Sequence, residues 1–149
     1  GKTMFILIDY LLIDSVLLKA SLIHDLFEEF TYERFDDLLY IDEDGYSVVQ
    51  LVLEVTRRKD ELGKKEPKLD FLRRIEKQGS RRAKLLKCAD RISNLTDLNS
   101  DFDNDFIRRY MEESKEVILP MAKEVNQDMY KELNDIMLNL EKATGIKVL

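Results

Sequence analysis

Glycine and proline are scarce in this sequence, and their scarcity limits the number of tight turns that the chain can make. Only five glycines and two prolines occur among 149 residues. Between them run segments whose apolar residues recur every three or four positions, which is the spacing of one helix face. No segment has a strong strand pattern, and no repeat is present. The sequence therefore predicts an all-α helical bundle, most simply one domain over residues 1–149.

Individual helices are predicted from this periodicity and from the residues that cap helix ends. Asp14 or Ser15 can cap the second helix, since either side chain can accept a hydrogen bond from an unpaired backbone N–H. Ser80 can cap a later helix in the same way, whereas Gly79 and Pro120 are expected to end helices. The predicted helices cover residues 4–12, 16–30, 46–57, 67–77, 81–95, 101–119 and 121–141, with a short helix and a loop in 31–44.

Charge is unevenly distributed along the chain. The formal net charge is −6, but residues 57–91 contain fourteen Lys and Arg against six Asp and Glu. A basic segment in an acidic protein is poorly suited to long nucleic acid, which needs an extended positive surface. A small anionic ligand fits this segment better. Solvent-exposed helix faces would explain the same pattern equally well.

The single cysteine and the apolar first segment limit the compartment and the class of protein. One cysteine excludes an internal disulfide and a Cys-based zinc site, so Cys88 is expected to be a small core residue in a reducing, cytoplasmic setting. Residues 4–23 are the only candidate membrane span, but they contain Asp9, Asp14 and Lys19. Charges at the centre of a span cost roughly 2.5–3.5 kcal/mol each, so we expect buried helix and no membrane partner.

The only histidine is followed directly by an aspartate, and two glutamates lie one helical turn further on. In a helix His24 and Glu28 share a face, as do Asp25 and Glu29. Imidazole and carboxylate groups together suit a divalent cation, and Asp90 on a distant helix could complete the ligand set. A partly buried histidine bonded to an acidic neighbour, with ordinary surface ion pairs elsewhere, remains the alternative.

A metal at these residues would be suited to phosphate chemistry. It would lower the pKa of a bound water and neutralise phosphate oxygens. Glu28 and Glu29 could position that water or transfer a proton. Basic side chains at residues 64, 65, 87 and 91 could hold the phosphates.

Four segments together resemble the HD-domain phosphohydrolases, in particular the guanosine tetraphosphate hydrolase domain of the RelA/SpoT type and its small stand-alone relatives. Residues 20–29 (ASLIHDLFEE) are similar to the A-x-L-x-H-D-x-x-E-D segment of that family. Residues 45–56 (GYSVVQLVLEVT) resemble its G-x-x-V-x-x-L-V-x-x-V-T helix, and residues 86–95 (LKCADRISNL) its K-x-A-D-R-x-x-N motif. Residues 110–117 (YMEESKEV) resemble its Y-x-x-W-A-x-x-V run. The likeness covers roughly residues 8–125.

The resemblance implies an HD-type bundle that acts as a manganese-dependent 3′-pyrophosphohydrolase on guanosine tetra- or pentaphosphate. Manganese, or another divalent metal, would be bound by His24, Asp25 and Asp90, and the catalytic acidic pair would be Glu28 and Glu29. The nucleotide substrate would be bound by Lys65 or its neighbour Lys64, together with Lys87, Asn94 and Tyr110.

The sequence departs from the family pattern at four positions. Glu29 stands where an Asp is usual, Ser93 where a His is usual, and Glu113 where a Trp is usual. The family's first histidine ligand would fall at or before Gly1, and we expect that segment to be missing from the sequence. A general HD-family nucleotide phosphohydrolase, or a metal-free HD-like binding module, therefore remains an alternative reading.

Overall fold

The computed structural model describes residues 2–10, 12, 14–26 and 43–149, and most of them are helical. Within these ranges no strand is present, and residues Lys59 and Lys65 form an isolated antiparallel bridge. The predicted all-α architecture is confirmed. The helices are α1 (Lys2–Asp9), α2 (Ser15–Leu26), α3 (Gly45–Glu54), α4 (Lys68–Gln78), α5 (Arg81–Asp97), α6 (Asn104–Glu113), a π-helical turn (Ser114–Ile118), α7 (Leu119–Val125) and α8 (Gln127–Thr144).

Helix α5 lies at the centre of the bundle. Its N-terminus is capped as predicted, because the Ser80 hydroxyl accepts a hydrogen bond from the Ala83 N–H at 3.1 Å. Apolar residues on several sides of α5 are buried, and the helix contacts α1, α2, α3, α4, α7 and α8. A helix in contact with so many neighbours fixes the relative positions of the side chains around it.

The apolar first segment forms two short helices, α1 of 8 residues and α2 of 12 residues. Asp14 lies between them and accepts a hydrogen bond from the Leu17 N–H at 3.0 Å, as predicted for a cap. The same carboxylate pairs with Arg82 of α5 at 2.9 Å. Among the described residues, no helix combines the length and the apolar character needed to cross a bilayer.

One predicted helix break, at Pro120, is wrong. Pro120 does not break the helix, because the chain continues through the π-helical turn into α7. The Leu119 N–H bonds to the Ser114 carbonyl, five residues back, and Pro120 then lies in the first turn of α7, where a missing N–H is tolerated. The break falls at Asn126, whose extended backbone and side-chain oxygen cap α8. The predicted extension of α2 to residue 30, and residues 31–42, lie outside the described residues.

The loop between α3 and α4 is held by its own hydrogen bonds. The Asp60 carboxylate accepts from the N–H groups of Leu62 and Lys64 at 2.9 Å each. Gly63 between them has a φ of 80°, a left-handed conformation that glycine adopts without a steric penalty. Glu66 then fixes the loop to α4, since its carboxylate pairs with Arg74 at 2.6 Å.

Candidate functional site

Three of the predicted site residues lie on one face of α5, which we call the polar face: Lys87, Asp90 and Asn94. Their spacing of three and four residues brings them onto neighbouring turns of the same side. The Lys87 ammonium lies 3.2 Å from the Asp90 carboxylate, and the side chains are 12% and 13% exposed. Asp90 is therefore at the edge of the core, as its position in the helical pattern predicts, while Asn94 is exposed.

Lys87 is surrounded by apolar as well as charged groups. Its ammonium lies 5.2 Å from the centre of the Phe71 ring of α4, within the range of a cation–π contact. Burial lowers the pKa of Lys87, and the charge of Asp90 opposes that shift. The pair at residues 87 and 90 thus places two opposite charges at a partly desolvated position.

Tyr110 of α6 brings a phenol group to the polar face. Its ring packs on the Arg91 guanidinium, one helical turn from Asn94 on α5, so two residues predicted to contact the nucleotide lie at the same side of that helix. Burial raises the pKa of Tyr110, whereas the positive charge of Arg91 acts in the opposite direction. On the same helix Phe106 is stacked on Tyr110, with ring centres 5.7 Å apart and planes inclined by 11°.

Arg91 is buried and is engaged by α6 and by the π-helical turn. Its guanidinium carbon lies 4.0 Å from the centre of the Tyr110 ring. One terminal nitrogen donates to the Glu113 carboxylate at 2.8 Å, and the other to the Ser114 hydroxyl at 3.2 Å. We call Arg91, Tyr110, Glu113 and Ser114 the Arg91 network. Arg91 was considered from sequence as a phosphate ligand, but its terminal nitrogens hold this network instead.

The HD pair lies near the C-terminus of α2. The backbone of His24 and Asp25 is helical, and α2 contacts both α3 and α5. The helix of the HD pair is therefore a direct neighbour of the helix that contains Asp90. The side chains of His24 and Asp25, and the whole of Glu28 and Glu29, lie outside the described residues.

The donor chemistry of the predicted metal ligands fits a divalent cation. One imidazole and two carboxylates are a usual combination for manganese or a similar ion. Where side chains are described, no three His, Cys, Asp or Glu residues form a group that could hold a metal. Asp90 would therefore need further metal ligands from outside the described side chains, and His24 and Asp25 of α2 are the residues predicted for that role.

Lys64 and Lys65 lie in the loop between α3 and α4, and both are exposed. The backbone of this loop is fixed, because Lys65 forms the bridge to Lys59 and the Lys64 carbonyl accepts from the Asp60 N–H at 2.9 Å. The loop presents both ammonium groups to solvent. In the described part of the chain, neither lysine forms a hydrogen bond or an ion pair with the polar face.

Sequence reasoning missed two contributors to this region. Phe71 is not singled out by the sequence, although its ring lies beneath Lys87 and also 5.3 Å from the Arg74 guanidinium. Glu113 was noted only as a departure from a family pattern, although it is the partner of Arg91. No periodicity identifies such pairs, since each joins two helices that are distant in sequence.

A scan against models of known protein families and a search of curated proteins find no match for this chain.

Proposed function

We propose that this chain is a divalent-metal-dependent phosphohydrolase with an HD-type bundle. Its substrate in this proposal is guanosine tetra- or pentaphosphate, from which it removes the 3′-pyrophosphate. One observation carries the proposal: Lys87, Asp90 and Asn94 share a face of α5, and the Tyr110 ring packs on the same helix over the Arg91 guanidinium. Lys87, Asp90, Asn94 and Tyr110 were selected from two separate segments of the sequence, and their proximity supports a common role.

The contact between α2 and α5 supports the metal assignment. His24 and Asp25 would hold the ion from α2, and Asp90 from α5. A bound divalent cation would supply a Lewis acid that acidifies water and neutralises phosphate oxygens. Glu28 and Glu29 would accept the proton of the attacking water, because carboxylates near the ion are suitable general bases.

The overall reaction consumes one water molecule. Its oxygen bonds to phosphorus, the bond between that phosphorus and the ribose 3′-oxygen breaks, and pyrophosphate leaves. The 3′-oxygen takes a proton and remains on GDP or GTP as a hydroxyl. Asn94 and Tyr110 would orient the nucleoside part, while Lys87 and an exposed lysine, Lys65 or Lys64, would balance phosphate charge.

A substrate comparison tests the proposal. The protein is incubated with manganese and, separately, with guanosine tetraphosphate, GDP and p-nitrophenyl phosphate, and the products are separated by anion-exchange chromatography. We expect pyrophosphate and GDP from guanosine tetraphosphate and no turnover of the other two. Hydrolysis of p-nitrophenyl phosphate instead would indicate a general HD-family phosphohydrolase. Absence of turnover with all three would favour a metal-free binding module.

Asp90→Asn tests the metal assignment in the same preparation. We expect this variant to lose manganese binding, measured by titration calorimetry, together with activity, while its helical circular dichroism is unchanged. Asp97→Asn is the matched control, because Asp97 lies on the same helix but pairs with Lys2 at the surface. Manganese binding of normal affinity in Asp90→Asn would contradict the assignment.

A further inference from the structure

The Arg91 network surrounds a guanidinium that is almost completely buried. Arg91 is 4% exposed, and it makes contacts with three residues of the segment 110–114. Ser114 also ties this segment together, since its hydroxyl donates to the Tyr110 carbonyl at 2.7 Å. The network therefore joins α5 to the exact place where α6 changes into the π-helical turn.

Two features of the network are unfavourable for stability. The Arg91 Nε–H is buried and has no hydrogen-bond partner among the described residues. A buried ion pair is also no more stabilising, in general, than well-packed apolar side chains of similar volume. Fold stability alone therefore gives a poor reason for an arginine at this position. A π-helical turn in a longer helix is likewise rare and is frequent at functional sites.

The geometry of the network relates Arg91 to the polar face through Tyr110. The guanidinium covers one face of the phenol ring, and Asn94 lies one helical turn from Arg91 on the same side of α5. Glu113 restricts the guanidinium, because its carboxylate at 2.8 Å fixes the direction of the guanidinium and balances its positive charge. Tyr110 thus contacts both the Arg91 guanidinium and the ring of Phe106.

We propose that Arg91 is a positioning residue which, anchored by Glu113, holds the Tyr110 ring at the polar face beside Asn94 and so sets the geometry of the nucleotide-binding wall. The effect on nucleotide rests on the proposed function, whereas the effect on Tyr110 does not. Arg91 itself does not contact substrate in this proposal. Glu113, which stands where the HD family has a Trp, is then part of the same device.

The first experiment measures Tyr110 without any ligand. Protein with ¹³C-labelled tyrosine rings is examined by NMR, and the Tyr110 signals are identified by their loss in Tyr110→Phe. We expect Arg91→Met and Glu113→Gln to shift the Tyr110 ring signals and the Asn94 side-chain amide signals. Glu112→Gln, an exposed neighbour of the same charge, should shift neither. Unchanged Tyr110 and Asn94 signals in Arg91→Met would overturn the proposal.

The second experiment separates positioning from a general structural role. In guanosine tetraphosphate hydrolysis, we expect Arg91→Met to raise KM about tenfold with kcat within about twofold of wild type, and Arg91→Lys to lie between them. The double variant Arg91→Met/Tyr110→Leu should have the KM of Tyr110→Leu alone, since Arg91 acts through that ring. Independent, multiplying effects on KM would overturn the proposal.

The two experiments distinguish the possible failures. If wild-type protein hydrolyses none of the nucleotides but Arg91→Met still shifts the Tyr110 and Asn94 signals, the proposed function fails and the positioning of Tyr110 stands. If wild-type protein is active and those signals do not move, positioning fails alone. Arg91→Lys, which keeps the buried charge, allows both measurements should Arg91→Met fail to fold.

Discussion

Cys88 and Asp90 are two residues apart on α5, yet their side chains have opposite surroundings. Cys88 is fully buried, whereas the Asp90 side chain reaches the edge of the core. The difference follows from helical geometry, since two residues along an α-helix turn the side chain by about 200°. The apolar spacing of residues 85, 88, 89, 92 and 95 predicts the burial of Cys88, and Asp90 falls beside that apolar face.

The burial of Cys88 has a chemical consequence. Desolvation raises the pKa of its thiol to about 12. At pH 8 only about one molecule in 10⁴ then carries the reactive thiolate. We expect 5,5′-dithiobis(2-nitrobenzoate) to react with the native protein very slowly and with the urea-unfolded protein at once, as followed by absorbance at 412 nm. A rapid stoichiometric reaction of the native protein would show that the thiol is accessible.

Other residue pairs were beyond prediction from sequence. The shared face of Lys87, Asp90 and Asn94 follows from their spacing within one helix. The contact of Arg91 with Glu113 depends instead on how α6 is rotated against α5. The π-helical turn at Ser114–Ile118 directly follows α6, and no local sequence signal identified it.

At the scale of helices, local signals predicted some ends correctly and one break incorrectly. The caps at Asp14 and Ser80 are simple side-chain hydrogen bonds, and both are present. Pro120 was expected to end a helix because proline has no backbone N–H for an α-helical hydrogen bond, and its ring clashes with the preceding turn. The preceding π-helical turn changes the bonding pattern, and the proline is accommodated at the start of α7.

Pro120→Ala tests this account of the helix. If Pro120 lies in a compatible first turn, its loss should change the free energy of unfolding by no more than about 1 kcal/mol, with a small destabilisation expected. If it instead disrupted a helix interior, replacement by Ala would stabilise the protein by about 3 kcal/mol. Urea titration followed by circular dichroism measures the difference. A gain of the larger size would contradict the structure.

Asp14 joins two helices, and its effect on stability should depend on pH. Burial alone would raise its pKa, but the Leu17 N–H and the Arg82 guanidinium outweigh that effect, so the pKa lies below the ordinary value of 3.8. The stabilisation by Asp14 is therefore complete above the unfolded-state pKa and is lost as the pH falls through the lower folded-state value.

Two substitutions separate the roles of Asp14. Asp14→Ala should lower the free energy of unfolding at pH 7 by about 0.5–2 kcal/mol, the usual effect of losing a cap. Asp14→Ser keeps a capping oxygen and loses only the pair with Arg82, so its effect should be smaller. Urea titrations from pH 7 to pH 2 should show the difference between wild type and Asp14→Ala shrink only at the acidic end. A difference that is constant throughout would exclude the carboxylate as its source.

At the scale of the whole molecule, every described helix contributes to one hydrophobic cluster. The cluster extends from Leu7 in α1 to Ile146 after α8, and α5 contacts both of these helices. The scarcity of glycine and proline predicted the helices, but not which of them would be central. That depends on how the helix faces pack together, which no single segment determines.

This shared core predicts a single cooperative unfolding transition. Leu7 and Met137 lie on the first and last helices and are both fully buried. Because each borders the same core, Leu7→Ala and Met137→Ala should each cost about 2–5 kcal/mol and shift the whole urea transition. Leu138→Ala is the control. The Leu138 side chain, next in sequence to Met137, is 40% exposed, and its loss should change stability by less than about 1 kcal/mol. Circular dichroism and tyrosine fluorescence should give the same midpoint for each variant. A variant that moves only part of the transition would show that the chain contains two independent folding units.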